Sequence, residues 1–235
     1  RLWQYIFVSC WTENPEESIP LWRMYSGNSH GVRIGMDIDM FEDNVIGGEN
    51  VPAGIPVKGF IMTKVPAEDV FREDYFVSPI GMRIEDSQSD TLFYSHVKYV
   101  NDVKEETRDS YKLTMEDSTY ASSSIAFGEI GKYKNKRWSF QEESRFRLLV
   151  LPFNPFLSDP DRVNTISINA FNNNIPVPIS EYFLKLRSKS LDQMEITLHP
   201  NANESDRVIV EALCAKYAPE AIIKESELTD RVKMK

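Results

Sequence analysis

The stretch from Arg137 to Leu151 starts with a polar, charged composition and ends with an apolar one, with alternation between the two. In an extended chain, successive side chains point to opposite faces. One face would then carry the polar and charged side chains of Gln141, Glu143, Arg145 and Arg147. The other face would carry the apolar side chains of Phe146, Leu148 and Val150. The stretch therefore predicts a strand whose apolar face packs on a core.

Two interpretations of the charged face stay open. A half-solvated antiparallel strand would turn these charges toward water. A strand lining a cleft would instead place Glu143 to stabilise positive charge and the arginines to hold an anion.

The length of 235 residues predicts one medium domain over residues 1–235, or one domain with a small appendage. The hydrophobic content of 41% is enough for a sizeable core. No apolar run is long enough to span a bilayer and no secretory leader is visible, so we expect a cytoplasmic protein without membrane contact. The formal net charge of −9 argues against non-specific binding to nucleic acid or anionic lipid over the whole surface.

The two cysteines, Cys10 and Cys214, are far apart in apolar surroundings and show no ligand spacing. They predict reduced, buried, free thiols, as in cytosolic proteins. The three histidines are scattered, and no His or Cys pair has zinc spacing, so we expect no metal site.

A local cluster of positive charge, here called the basic island, runs from Lys132 to Arg147. Its cations outnumber its two acids, Glu142 and Glu143; they are Lys132, Lys134, Lys136, Arg137, Arg145 and Arg147. The island indicates either a site for a phosphate-bearing ligand, nucleic acid included, or a solvated charged loop ahead of a strand.

Hydrophobic periodicity predicts the remaining architecture. Residues 3–10, 32–38 and 143–151 are expected to be strands of one sheet. Asn203 or Ser205 caps a predicted helix over 206–218, which packs on the sheet through one apolar face formed by Val208, Ile209, Ala212 and Leu213. The fold class is α+β, with a mainly antiparallel sheet and packed helices.

Several motifs together resemble a widespread bacterial domain-of-unknown-function family. They are Phe7-Val8-Ser9-Cys10-Trp11, Leu21-Trp22-Arg23-Met24-Tyr25, Gly31-Val32-Arg33-Ile34-Gly35 and Trp138-x-x-Gln141-x-Glu143-x-Arg145. Trp11 stands where the family usually has Phe, and Gln141 where it usually has Glu. The resemblance also implies an upstream segment with a strand and a helix, which we expect this chain to lack.

The order of elements resembles, more distantly, the ADP-ribosyltransferase fold. That fold carries Gln/Glu-x-Glu on a late strand, which Gln141-Glu142-Glu143 fits. The resemblance implies NAD as co-substrate, with Glu143 stabilising the ribosyl cation and Gln141 positioning the acceptor. Its implied NAD-binding residues are Tyr25 or Trp22 on the nicotinamide, Arg145 on the pyrophosphate, and Ser9.

Each of these residues also has a simpler interpretation. Trp22 and Tyr25 are at a spacing typical of core aromatics, Arg145 can neutralise Glu143, and Ser9 can be an ordinary strand residue.

Three classes of function follow from the sequence. The first is an NAD-dependent ADP-ribosyltransferase or NAD hydrolase, as a toxin or anti-phage effector with a protein partner such as an antitoxin. The second is a non-enzymatic regulatory module that binds a protein partner through Trp22 and Tyr25. The third is a nucleic-acid-processing protein acting at the basic island.

Overall fold

The computed structural model describes residues 2–26, 30–55, 57–80, 90–115 and 121–231. Its strands, in chain order, are β1 (Ile6–Thr12), β2 (Val32–Gly35), β3 (Asn44–Ile46), β4 (Ile61–Thr63), β5 (Phe76–Val77), β6 (Tyr94–His96), β7 (Lys98–Val100), β8 (Tyr111–Met115), β9 (Ala121–Ile125), β10 (Tyr133–Asn135), β11 (Glu143–Leu151), β12 (Glu195–Leu198) and β13 (Ile222–Lys224). The α-helices are α1 (Ile19–Tyr25), α2 (Ala67–Val70), α3 (Val103–Glu106), α4 (Val163–Asn172) and α5 (Glu204–Tyr217). The predicted α+β class is confirmed, with several small, mostly antiparallel sheets.

The chain forms two compact units, each built from two separate segments. The first unit holds residues 1–13 and 43–184, and the second holds residues 14–42 and 185–235. Whether the chain folds as one domain stays a prediction. None of the described helices combines the length and apolar composition that crossing a bilayer requires.

Strand β11 is the centre of the main sheet of the first unit. It pairs antiparallel with β1 along one edge, and with β6 and β5 along the other. In the register with β1, Cys10 lies opposite Arg145 and Ser9 lies opposite Phe146. Because directly opposed residues share a face, Cys10 and Arg145 lie on one side of the sheet and Ser9 on the other.

Both faces of β11 are covered, so the interpretation as a half-solvated strand is wrong. Phe146 on one face contacts the rings of Trp11, Phe93 and Tyr94. On the other face, Glu143 and Arg147 are buried as well. Periodicity places side chains on faces, but it does not show what covers each face.

The predicted strand over 143–151 is confirmed as β11, whereas the residues before Glu143 do not continue the extended chain that the alternation from Arg137 indicates. Residues Lys136–Gln141 form a 3₁₀ helix, and the side chain of Asn135 caps it by accepting the backbone N–H of Arg137 at 3.1 Å. Glu142 ends this helix in the left-handed region, at φ 42°. Gln141 is therefore not a residue of β11.

The sheet of the second unit has the order β13-β12-β2. It contains residues 32–35, so the prediction that 32–38 joins 3–10 and 143–151 in one sheet is wrong. Val32 to Gly35 pair antiparallel with β12. The sequence pattern identified a strand here, but the strand ends at Gly35 and not at residue 38. Strand partners depend on long-range contacts that periodicity does not encode.

The predicted helix over 206–218 is confirmed as α5, Glu204–Tyr217. Asn203 caps it, and a reciprocal bond with Asp206 completes a capping box. Its predicted buried face is wrong: Val208, Ile209 and Leu213 are each more than half exposed, and Cys214 is the buried residue of this helix.

Candidate functional site

Five side chains of the first unit meet on one face of the main sheet, and we call them the Glu143 cluster. Cys10 comes from β1, Lys134 from β10, Gln141 from the 3₁₀ helix, and Glu143 and Arg145 from β11. The antiparallel pairing of β1 with β11 and the 3₁₀ helix bring these separate segments together.

The carboxylate of Glu143 binds two cations. Lys134 Nζ donates to its Oε2 at 2.6 Å, and Arg145 Nε donates to its Oε1 at 2.6 Å. Lys134 also donates to the side-chain oxygen of Gln141. Arg145 is held in place by a further bond from Nη1 to the carbonyl of Gly131, at 2.6 Å. Glu143 is only 7% exposed, so these contacts lie largely out of water.

Burial alone would raise the pKa of Glu143. Hydrogen bonds from Arg145, Lys134 and Cys10 outweigh the burial and hold the pKa below its ordinary value. The carboxylate is therefore ionised at neutral pH. An ionised, oriented carboxylate is able to stabilise a developing positive charge.

Cys10 is exposed, so the prediction of two buried thiols holds only for Cys214. Both cysteines are free thiols. Partial burial, together with the hydrogen bond and the negative charge of Glu143, raises the pKa of the Cys10 thiol. Cys10 therefore serves the carboxylate as a hydrogen-bond donor and is not activated as a nucleophile.

The backbone of Glu143 is fixed by β7. Tyr99 accepts the backbone N–H of Glu143 on its hydroxyl at 2.9 Å. Tyr99 lies opposite Lys134 in the parallel pair of β7 and β10. Two residues that touch Glu143 thus share one short strand pair, which fixes the position of the carboxylate relative to its lysine.

The remaining predicted site residues of the first unit are divided between the faces of the sheet. Gln141 and Arg145 belong to the Glu143 cluster. Ser9 does not, because it lies on the opposite face, where its hydroxyl accepts the indole N–H of Trp11 at 2.9 Å.

Trp22 and Tyr25 both belong to the second unit, in α1. Trp22 is a core residue: its indole N–H donates to Glu17 at 2.8 Å, and its ring contacts the edge of His199 at a centroid distance of 5.2 Å. Tyr25 is 72% exposed. Of the two aromatics proposed for nicotinamide or for a protein partner, Tyr25 is the one that presents its ring to solvent.

The basic island separates into cations that are bound and cations that are exposed. Lys132 pairs with Asp90 at 3.1 Å, and Arg147 donates to backbone carbonyls. Lys136 and Arg137 lie on the exposed 3₁₀ helix, and their side chains have no ion-pair partner among the described residues.

Two aromatic rings accompany these exposed cations. Trp138 and Phe140 are both exposed, with ring centroids 6.0 Å apart. Lys134 lies over the Trp138 ring, 5.4 Å from its centroid.

No group of metal-ligating side chains that could hold an ion occurs within the described ranges. Comparison of the chain with protein-family profiles, with curated proteins and with solved structures gives no match.

The sequence pattern indicated the acidic and basic members of the cluster, but it gave no sign that Cys10 and Tyr99 contact Glu143. Both come from strands distant in sequence, and they reach Glu143 only through strand pairing. The alternation in each strand carries no signal of that pairing.

Proposed function

We propose that this protein consumes NAD, as an ADP-ribosyltransferase or NAD hydrolase, with Glu143 as the residue that stabilises the ribosyl cation. The observation that carries the proposal is the convergence of Lys134 and Arg145 on the carboxylate of Glu143, with Gln141 bound to the same lysine. A Gln-x-Glu sequence is common by chance, but here its glutamate is an oriented, ionised carboxylate with cations beside it.

The chemistry needs that ionised state. Breaking the bond between nicotinamide and ribose leaves the bonding electrons on nicotinamide, which departs as a neutral molecule, and the ribose becomes oxocarbenium-like. A fixed carboxylate next to the ribose stabilises this positive charge. Water or an acceptor hydroxyl then attacks the cation and gives up a proton.

The carboxylate must exchange one of its cations for the ribose. Lys134 is better suited to leave than Arg145, because its side chain is the more exposed of the two, at 24% against 14%. Arg145 is also tied to Gly131. In this scheme Lys134 moves to a phosphate oxygen of NAD while Arg145 keeps Glu143 in place.

The test is to incubate the intact protein with NAD and to measure the released nicotinamide by chromatography. Glu143→Asp keeps the charge but withdraws the carboxylate by one methylene, so we expect turnover to fall by about a hundred-fold or more. Glu142→Asp, at the exposed neighbouring position, is the matched control and should retain wild-type turnover. Absence of nicotinamide release by wild-type protein, or equal turnover by Glu143→Asp, would refute the proposal.

A second candidate function is binding of single-stranded nucleic acid at the exposed 3₁₀ helix. The specific observation is that Trp138 and Phe140 expose neighbouring rings beside the exposed cations Lys136 and Arg137. Bases stack on such rings while cations contact the phosphates.

Fluorescence polarisation of a labelled single-stranded oligonucleotide, titrated with the protein, tests this candidate. Trp138→Ala should weaken binding roughly ten-fold, which corresponds to one lost stacking contact. An affinity that is unchanged in Trp138→Ala and independent of salt would exclude the candidate.

A further inference from the structure

Strand β1 lies at the edge of the main sheet. It pairs with β11 along one side, and no other described strand lies along its second side. Its seven residues, Ile6–Thr12, contain no charged side chain and no proline, and their pairing with β11 has no bulge. Natural proteins protect an open edge with lysine, proline, a bulge or a very short strand, because such an edge can pair with another chain. The open edge of β1 has none of these protections.

The hydrogen bonds around β11 show which backbone groups of β1 point outward. On β11, the N–H of Arg147 donates to the carbonyl of Phe93 at 2.6 Å, so odd-numbered residues turn their backbone groups away from β1. Even-numbered residues therefore face β1, and the bond from Glu13 N–H to Glu142 at 3.0 Å continues this pattern. Their partners on β1 are Phe7, Ser9 and Trp11. The backbone groups of Val8 and Cys10, between these partners, consequently point away from the sheet.

The outward groups of Val8 and Cys10 are open to another chain. Among the residues that the structure describes, no other segment bonds the backbone N–H or C=O of either residue. Val8 is 49% exposed, and Ser9 and Cys10 are exposed too. Alternating pairs of N–H and C=O groups along an edge match the groups of a second extended strand.

We propose that β1 pairs antiparallel with β1 of a second copy of this chain, across a two-fold axis at Ser9. In this register Val8 of one copy lies opposite Cys10 of the other, so the outward N–H groups of each copy donate to the outward carbonyls of its partner. The register also pairs the strand over its whole length, because Ile6 meets Thr12 at both ends. The two main sheets then form one continuous sheet. This pairing does not depend on any activity toward NAD.

The side chains of β1 are complementary to themselves in this register. Phe7 of one copy lies opposite Trp11 of the other, on both sides of the axis, and both residues are partly exposed in the single chain. Cross-strand aromatic pairs of this kind stabilise a sheet. The strand brings no like charges together, although each copy has a formal net charge of −9 that repels the other elsewhere. Self-complementarity and the absence of charge favour a second copy over an unrelated peptide.

The size of the edge sets the expected strength of the pair. Stable interfaces bury about 1,200–2,000 Å², which is more than one strand edge supplies. We therefore expect a reversible dimer with a Kd on the order of 0.1 mM. Sedimentation equilibrium of the 235-residue protein, at concentrations up to about 1 mM, should show monomer converting to dimer. A monomer at every concentration would overturn the proposal.

Substitutions at Val8 locate the contact on this edge. Val8→Pro removes an outward N–H and no bond to β11, so it should weaken dimerisation about ten-fold or more. Val8→Thr is the matched control, because it keeps the N–H and the branched shape, and it should dimerise like wild type. Val8→Lys keeps the backbone but adds the charge that protects natural edges, so it decides the question if Val8→Pro does not fold. Wild-type dimerisation of Val8→Lys would contradict the proposal.

A disulfide tests the register. At the axis, Ser9 faces Ser9 of the other copy in a non-hydrogen-bonded pair, where Cα atoms lie about 4.5 Å apart and within disulfide reach. In a Cys10→Ser background, Ser9→Cys should therefore form a disulfide-linked dimer under mild oxidation, which mass measurement detects. Wild-type protein is the control, because its Cys10 faces Val8 of the other copy and should cross-link far less. Cross-linking through native Cys10 without cross-linking by Ser9→Cys would overturn the proposed pairing.

Discussion

Replacing Glu143 with Gln should destabilise the first unit strongly, although the shape of the side chain is almost unchanged. The carboxylate binds Lys134 and Arg145, each at 2.6 Å, and is 7% exposed. The Gln side chain has one oxygen for these two donors, and its NH₂ group would face the other cation. One largely buried cation therefore loses its counter-charge.

The magnitude follows from the burial of the pair. Breaking a buried ion pair by removing one partner costs about 3–5 kcal/mol. Arg145 keeps its bond to Gly131, and Lys134 keeps its bond to Gln141, so we expect the lower end of this range, about 3 kcal/mol. For a protein of this size, that corresponds to a fall in Tm of roughly 6–12 °C.

Urea and thermal unfolding at pH 7 measure this change. Glu142→Gln is the matched control, because it removes a neighbouring exposed carboxylate, and its effect should stay within about 0.5 kcal/mol. If Glu143→Gln lowers the free energy of unfolding no more than the control does, the contacts of Glu143 with Lys134 and Arg145 do not act as a buried ion pair.

The same pair predicts a pH dependence. The pKa of Glu143 in the folded protein lies below its ordinary value of 4.5, so its contribution to stability is fully present above that value. The contribution is lost as the pH falls through the folded pKa. The difference in stability between wild type and Glu143→Gln should therefore narrow below about pH 4.5 and disappear at lower pH.

Two further predictions concern Asp90 and the cysteines. Burial alone would raise the pKa of Asp90, but hydrogen bonds from His96 and Lys132 lower it from 3.8 to about 2. Asp90→Asn should cost on the order of 1 kcal/mol at pH 7, since the carboxylate is partly solvated, and urea unfolding should show this difference vanishing as the pH falls from about 4 to about 2. Alkylation of the native protein, followed by mass measurement, should modify Cys10 alone, with Cys214 reacting only after denaturation; equal native reactivity of both thiols, or a disulfide between them, would contradict the structure.

Local features of the sequence determined the elements. The cap at Asn203 and the apolar run behind it located α5, because capping depends on residues within one turn. The alternation after Glu142 located β11 and placed Glu143 and Arg145 on one face, because the pleat of a strand is a local property. The α+β class and a charged site around Glu143 could be predicted at this level.

Tertiary structure decided the environment of those elements. Strand pairing sent Val32–Gly35 into the sheet of the second unit and put Ser9 on the face opposite Glu143. It also buried Arg147, whose sequence neighbours are compatible with a solvated strand. Burial and counter-charge arise from contacts between segments that are distant along the chain. The local sequence therefore shows which charged residues belong to this site, but it does not show whether each charge has a partner.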